Sequence, residues 1–214
     1  QCLKTSNNIA RYWRDVDSVR QGNTWVAKIP VMNVDEYVFS YANIRYRNNI
    51  VLSSGFEAVI PSRLGKAVAT DKKAGFISKG TGQWSHVGPA EGIGGVQGFR
   101  PLDNRRGTKN IQFSDPKWKA PKGSKLSFRF YCTQPQKVVF SANRRFTTEL
   151  EITASDDWQR LTIPAKQLRS HGAVLSDWSV ADSMGIMPKM GSDITQVVFA
   201  DFKWNPPTQE SPAK

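Results

Sequence analysis

The sequence predicts an all-β protein, an antiparallel β-sandwich preceded by a smaller N-terminal β module. Three observations lead there: apolar and polar residues alternate with a period of two, turn residues bound each alternating segment, and the spacing recurs. Leu126, Phe128 and Phe130 alternate with Ser127, Arg129 and Tyr131. Phe146, Thr148, Leu150 and Ile152 alternate with Thr147, Glu149, Glu151 and Thr153. A strand with one buried and one wet face produces this pattern. Its repetition between Asp115 and Trp204 argues for a sandwich.

Composition sets the limits. A chain of 214 residues has room for one all-β domain, or for a sandwich with an appended module. With 39% hydrophobic residues and seven Trp it can fill a core without covalent staples. No apolar run approaches the roughly 18 residues of a membrane-spanning helix. A chain that begins at Gln1 rather than Met is expected to be processed or to be a piece of a longer one. Lys and Arg number 30 against 18 Asp and Glu, a net charge of +12. This is either an ordinary basic surface or the footprint of an anionic partner: an acidic or sulfated polysaccharide, a membrane surface or nucleic acid. The charge is spread along the chain, which speaks against a disordered basic tail. Cys2 and Cys132 are either one disulfide or two unrelated thiols, and their spacing suits no Cys-x-x-Cys metal site.

In chain order, Trp25–Ile29, Tyr37–Tyr46 and Ile50–Ser53 read as strands, with turns at Gln21-Gly22-Asn23, Asn33 and Asn48-Asn49. They suit a small sheet packed as an immunoglobulin-like module. A connector with Pro61 and Gly65 follows, so the expected division is 1–62 for the module, 63–205 for the sandwich and 206–214 for a Pro-rich tail. Residues 72–114 are Gly-rich. The run from Gly92 to Gly98 fails as a dinucleotide fingerprint, because Gln97 stands where a glycine is required and no helix follows. Pro164–Arg169 reads as one short helix.

The segments Arg11-Tyr12-Trp13-Arg14, Trp25–Val31 and Tyr41–Tyr46 resemble a region of secreted bacterial α/β-hydrolases of the PhoPQ-activated, pathogenicity-related type. In those proteins it follows the catalytic domain. Asp115–Pro121, Asp157-Trp158-Gln159 and Asp177-Trp178 look like the sandwich that closes such chains, which is also similar to the jelly-roll, galactose-binding-like fold of many carbohydrate-binding modules. The catalytic domain of that family has no counterpart here. The resemblance therefore implies a non-catalytic accessory module, secreted or periplasmic, associated with a hydrolase, and it carries over no catalytic residue.

The residues agree on the absence of an active site. Only His86 and His171 could serve a Ser-His-Asp triad, and no Gly-x-Ser-x-Gly elbow presents a serine. Glu149 and Glu151 fall on the wet face of a strand and Asp156-Asp157 in a turn, so paired-carboxylate chemistry is not expected of them. Binding has better candidates: aromatic rings stack on apolar sugar faces, and Arg forks hold carboxylate or sulfate. Trp84, His86 and Trp118, with Phe99, interleave with Arg100, Arg105, Arg106 and Lys109. The competing reading puts Phe99 and Trp118 in the core and the basic residues in a solvated loop. Trp158, Trp178 and Trp204 read as core. No cofactor is implied. A structural calcium would draw on Asp71, Asp103, Asp193 and Asp201, though no spacing singles out a set.

The leading expectation is a module that binds polysaccharide, preferably uronic-acid or sulfated glycans. The alternative is a purely structural C-terminal domain of a hydrolase with no ligand. Nucleic-acid binding ranks last, for want of a motif. A glycan binder should keep Trp84 exposed, whereas a structural domain should bury Trp84 and Trp118.

Overall fold

A computed structural model describes residues 15–207, apart from 72, 79, 80 and 82. Cys2, the Arg11–Arg14 motif, Gly80, Gly82 and the tail from 208 lie outside the described residues. Among the described residues all regular structure is antiparallel strand, relieved by single turns of 3-10 helix. The chain divides into two units: residues 1–72 with 115–117, and residues 73–114 with 118–214.

The first unit holds β1 (Ser18–Gln21), β2 (Thr24–Ala27), β3 (Val38–Ser40), β4 (Asn43–Arg45), β5 (Val51–Ser53) and β6 (Glu57–Val59). They form three two-stranded sheets, β1 with β2, β3 with β6 and β4 with β5, in place of the one small sheet expected. The run Tyr37–Tyr46 is interrupted at Tyr41-Ala42, where the amide of Ala42 donates to the Ser54 hydroxyl. Lys117 pairs with Asp71 at 2.5 Å inside this unit.

The second unit is the sandwich. Its strands are β7 (Phe76–Ser78), β8 (Trp84–Ser85), β9 (Val87–Glu91), β10 (Gln97–Pro101), β11 (Thr108–Asn110), β12 (Lys125–Tyr131), β13 (Gln136–Ala142), β14 (Phe146–Ile152), β15 (Gln159–Ile163), β16 (Arg169–Ser170), β17 (Ala173–Val174), β18 (Met184–Pro188) and β19 (Val198–Asn205). One sheet has the order β15-β12-β19-β10-β9, with β7 also on β19; the other has the order β17-β16-β14-β13-β18-β11-β8. The alternation read from sequence decides which face each buries. Leu126, Phe128 and Phe130 turn inward from β12, and Val138, Phe140 and Ala142 from β13. Phe128 meets Phe140 across the layers with rings 6.0 Å apart.

Two details tie the layers together. On β19 two residues, Asp201 and Phe202, oppose the single Phe128 of β12, a bulge that puts Asp201 at φ +54°. Phe202 keeps its place against Phe128, and Asp201 swings out to pair with Arg129. Trp178, fully buried, donates its indole N–H to the carbonyl of Ile163 at 2.9 Å. The expected helix at Pro164–Arg169 is a single 3-10 turn, Ala165–Gln167, because Leu168 returns at once to extended backbone.

Asp177 and Asp193 each open a 3-10 turn by accepting a backbone N–H, from Ser179 and Thr195 respectively. Burial alone would raise Asp177, but hydrogen bonds from Ser179 and Gly123 and the charge of Lys122 leave its carboxyl below the usual value. The Thr195 hydroxyl does the same for Asp193. A carboxylate depressed on folding contributes stability above its unfolded value, about 4, and loses it as pH falls through the folded value. The urea midpoint should therefore fall between pH 5 and pH 3, as about ordinary carboxylate titration predicts, and Asp193→Asn should flatten that fall. An unchanged profile in the variant would discount the Asp193 cap.

Candidate ligand-binding site

Register fixes which side chains share the outer face of the seven-stranded sheet. Trp84 points into the core, so its neighbour Ser85 points out. Ser85 stands opposite Lys109, Lys109 opposite Gly185, and Gly185 opposite Ser141. These residues floor a trough of about 390 Å³, walled by His86 and Arg106 on one side and Arg144 on the other. Gly185 keeps the floor low: a Cβ there would stand 3.0 Å from both the Ser141 hydroxyl and the Thr108 carbonyl.

The walls are held firmly. Asp103 accepts the backbone N–H groups of Arg105 and Arg106, both at 2.8 Å, which keeps its carboxyl below the usual range and fixes the loop. Asn104 donates to the Ser192 carbonyl and accepts from the Ile194 amide. Opposite, the turn between β13 and β14 has Asn143 and Arg144 both at positive φ, +52° and +62°. The Asn143 side chain accepts from the Asp182 amide at 2.7 Å and donates to the Val180 carbonyl at 3.2 Å. His86 also has positive φ, +55°. Two wall residues thus hold a backbone conformation that costs non-glycine residues energy, as is common at binding sites.

The charge of the trough is predominantly positive. Burial first, and the neighbouring Arg144 charge second, push Lys109 below the usual lysine range. Neither Lys109, Arg106 nor Arg144 has a hydrogen-bond or ion-pair partner for its head group among the described residues. The Asp103 carboxylate lies within the field of Arg106 and His86, so the uncompensated pair is Lys109 and Arg144; an anion entering the trough would offset their repulsion.

The expected site residues scatter. His86 and Arg106 stand on the trough, and Arg105 is exposed on the same loop without lining it. Arg100 is exposed on β10, flanked by buried Phe99 and Pro101, and so faces out from the other sheet. Trp84 requires correction as a stacking platform. It is 7% exposed, with its ring 4.7 Å from Phe99 and 4.8 Å from Phe202, and it offers no face to a sugar. Trp118 is half-buried against the core and its carbonyl accepts the Trp204 indole N–H at 2.9 Å. Trp178 and Trp204 are core. Trp158 is not: it packs on the outward Arg129 and Tyr131 and donates to the Ile93 carbonyl. Sequence reasoning missed Arg144, Ser141 and Gly185. The Asn143-Arg144-Arg145 turn directly precedes the alternating segment that begins at Phe146, but its place beside Lys109 depends on β18 lying between their strands.

Among the described residues no group of three or more His, Cys, Asp and Glu gathers as for a metal. Of the four aspartates weighed for calcium, Asp71 and Asp201 are ion-paired, and Asp103 and Asp193 cap turns. Cys132 is a buried free thiol, raised by burial. Among the described residues no helix is long and apolar enough to cross a membrane.

The sequence matches no protein-family model and no curated protein. Among solved structures it is similar to the family 11 carbohydrate-binding module of the cellulosomal cellulase Lic26A-Cel5E of Clostridium thermocellum, at 15% identity and a TM-score of 0.39. The match covers 57% of this chain and 81% of that one.

Proposed function

We propose that the chain is a non-catalytic, exported carbohydrate-binding module, and that the trough takes the carboxylate or sulfate groups of an anionic polysaccharide. One observation carries this reading: Lys109 and Arg144, held close enough to repel, share a recess with Arg106, and none of the three head groups is ion-paired among the described residues. The Trp84 and Trp118 rings foreseen for stacking play no part. The work falls to charge, to the hydroxyls of Ser85 and Ser141, and to the His86 ring at the rim.

The test is affinity electrophoresis through polygalacturonate, dextran sulfate and a neutral glucan at about 150 mM salt, where distant exposed charges are screened. Retardation is expected in the two acidic gels only. Lys109→Met should weaken it about tenfold, the scale of a hydrogen bond to a charged group. The same variant removes a half-buried, repelled charge, so its melting temperature should hold or rise. Equal retardation in the neutral gel, or a Lys109→Met protein that binds as before, would sink the proposal.

A second reading has its own support. Burial of Trp84 is what a purely structural domain of a hydrolase would show, and Trp25, Ile44 and Leu52 of the first unit are more than half exposed. On that reading all three gels are silent.

A further inference from the structure

The row of outward residues that floors the trough continues across the sheet. Ser141 stands opposite Thr147 on β14, and Thr147 opposite Arg169 on β16. Leu168, next to Arg169, is buried, which confirms that Arg169 points out. From Lys109 the row therefore runs Gly185, Ser141, Thr147, Arg169: a cation, three small residues with two hydroxyls between them, and a second cation. Arg169 is exposed and, like Lys109, its head group has no ion-pair or hydrogen-bond partner among the described residues. Lys109 and Arg169 are four strands apart, about 19 Å at the usual strand spacing of about 4.8 Å.

The rest of that face is neutralised. Lys189 pairs with Glu149 and Lys137 with Glu151, so each acid on the outer face of β14 has its own lysine. The sheet is sorted into a neutral band of ion pairs and a parallel band where cations stand unpaired over a low floor of small residues. Both acids on the outer face of the sheet strands are paired, and the row beside them carries none.

Resting on the reading above, we propose that the trough is one end of a track. A linear polyanionic polysaccharide lies across the strands, with one acidic group held by Lys109, Arg106 and Arg144 and a later one held by Arg169. Arg169 is then a specificity residue that measures chain length, and the hydroxyls of Ser141 and Thr147 face the sugar units between.

The experiment titrates the full chain with size-fractionated oligogalacturonates, from the disaccharide upward, at about 150 mM salt. Affinity should climb with length until the oligomer spans about 19 Å, four strand spacings, and then level off. Arg169→Ala should weaken the long oligomers about fivefold, the upper range for an exposed ion pair, and leave the disaccharide unchanged. Lys109→Met should weaken every length. Arg160→Ala, an exposed cation on the other sheet, controls for net charge and should do nearly nothing. If Arg169→Ala matches Arg160→Ala at every length while Lys109→Met still fails, the track is wrong and the trough stands. Should no oligomer bind, both fall. Tighter binding of a single-stranded DNA of equal charge would replace the glycan with nucleic acid and overturn the proposal as stated.

Discussion

Trp178→Ala is expected to lower the stability of the sandwich by about 3–5 kcal/mol, the range for removing a large aromatic from a close-packed core. The indole is fully buried, touches Phe140 edge-on at 6.2 Å and Trp204 at 5.6 Å, and joins the interior to the end of β15. Two losses add. The cavity cannot collapse, because its walls are strands fixed by their own hydrogen bonds. The Ile163 carbonyl also loses its partner, the Trp178 N–H, away from water. Trp178→Phe helps to separate the terms: it keeps most of the ring volume but loses the donor, so it should cost about 1–3 kcal/mol. Chemical denaturation followed by the remaining Trp fluorescence reads both. Equal losses for the two variants would mean that the hydrogen bond, not the packing, dominates.

How much of this was legible in the sequence depends on strand length. β12 and β14 each run seven residues, long enough for a period of two to declare which residues point inward. β8 has two residues, so Trp84 shows no periodicity and its Gly-rich surroundings suggest a loop. Only its pairing with β11 sets it in the core. Trp158 fails the other way. A Trp beside an alternating strand looks like core, but it stands one residue before β15 and lies on the outward side chains of β12. The trough was least legible. Arg106 and Lys109 were visible one by one and Arg144 was not; which cations meet depends on the order β13-β18-β11, and β18 comes from much later in the chain. Arg100, close in sequence to Arg106, leaves by the opposite face for the same reason.

Gly107→Ala tests that assembly at one backbone position and should cost about 2–4 kcal/mol, from overpacking together with backbone strain. Gly107 has φ +65°, and a Cβ there would stand 2.6 Å from the Ile186 carbonyl oxygen. That oxygen belongs to β18, against which β11 pairs in the register Thr108 to Ile186 and Lys109 to Gly185. Relief of the clash must move β11 off β18 or reopen the turn that holds Arg106, and either shift separates Lys109 and Arg106 from Arg144. Binding to polygalacturonate should therefore weaken together with stability, whereas Lys109→Met should weaken binding and leave the melting temperature level or higher. The two variants part the contributions of charge and of placement. If Gly107→Ala lost stability but kept full affinity, the trough would not depend on the β11–β18 register, and the ligand would have to be held by the exposed loop alone.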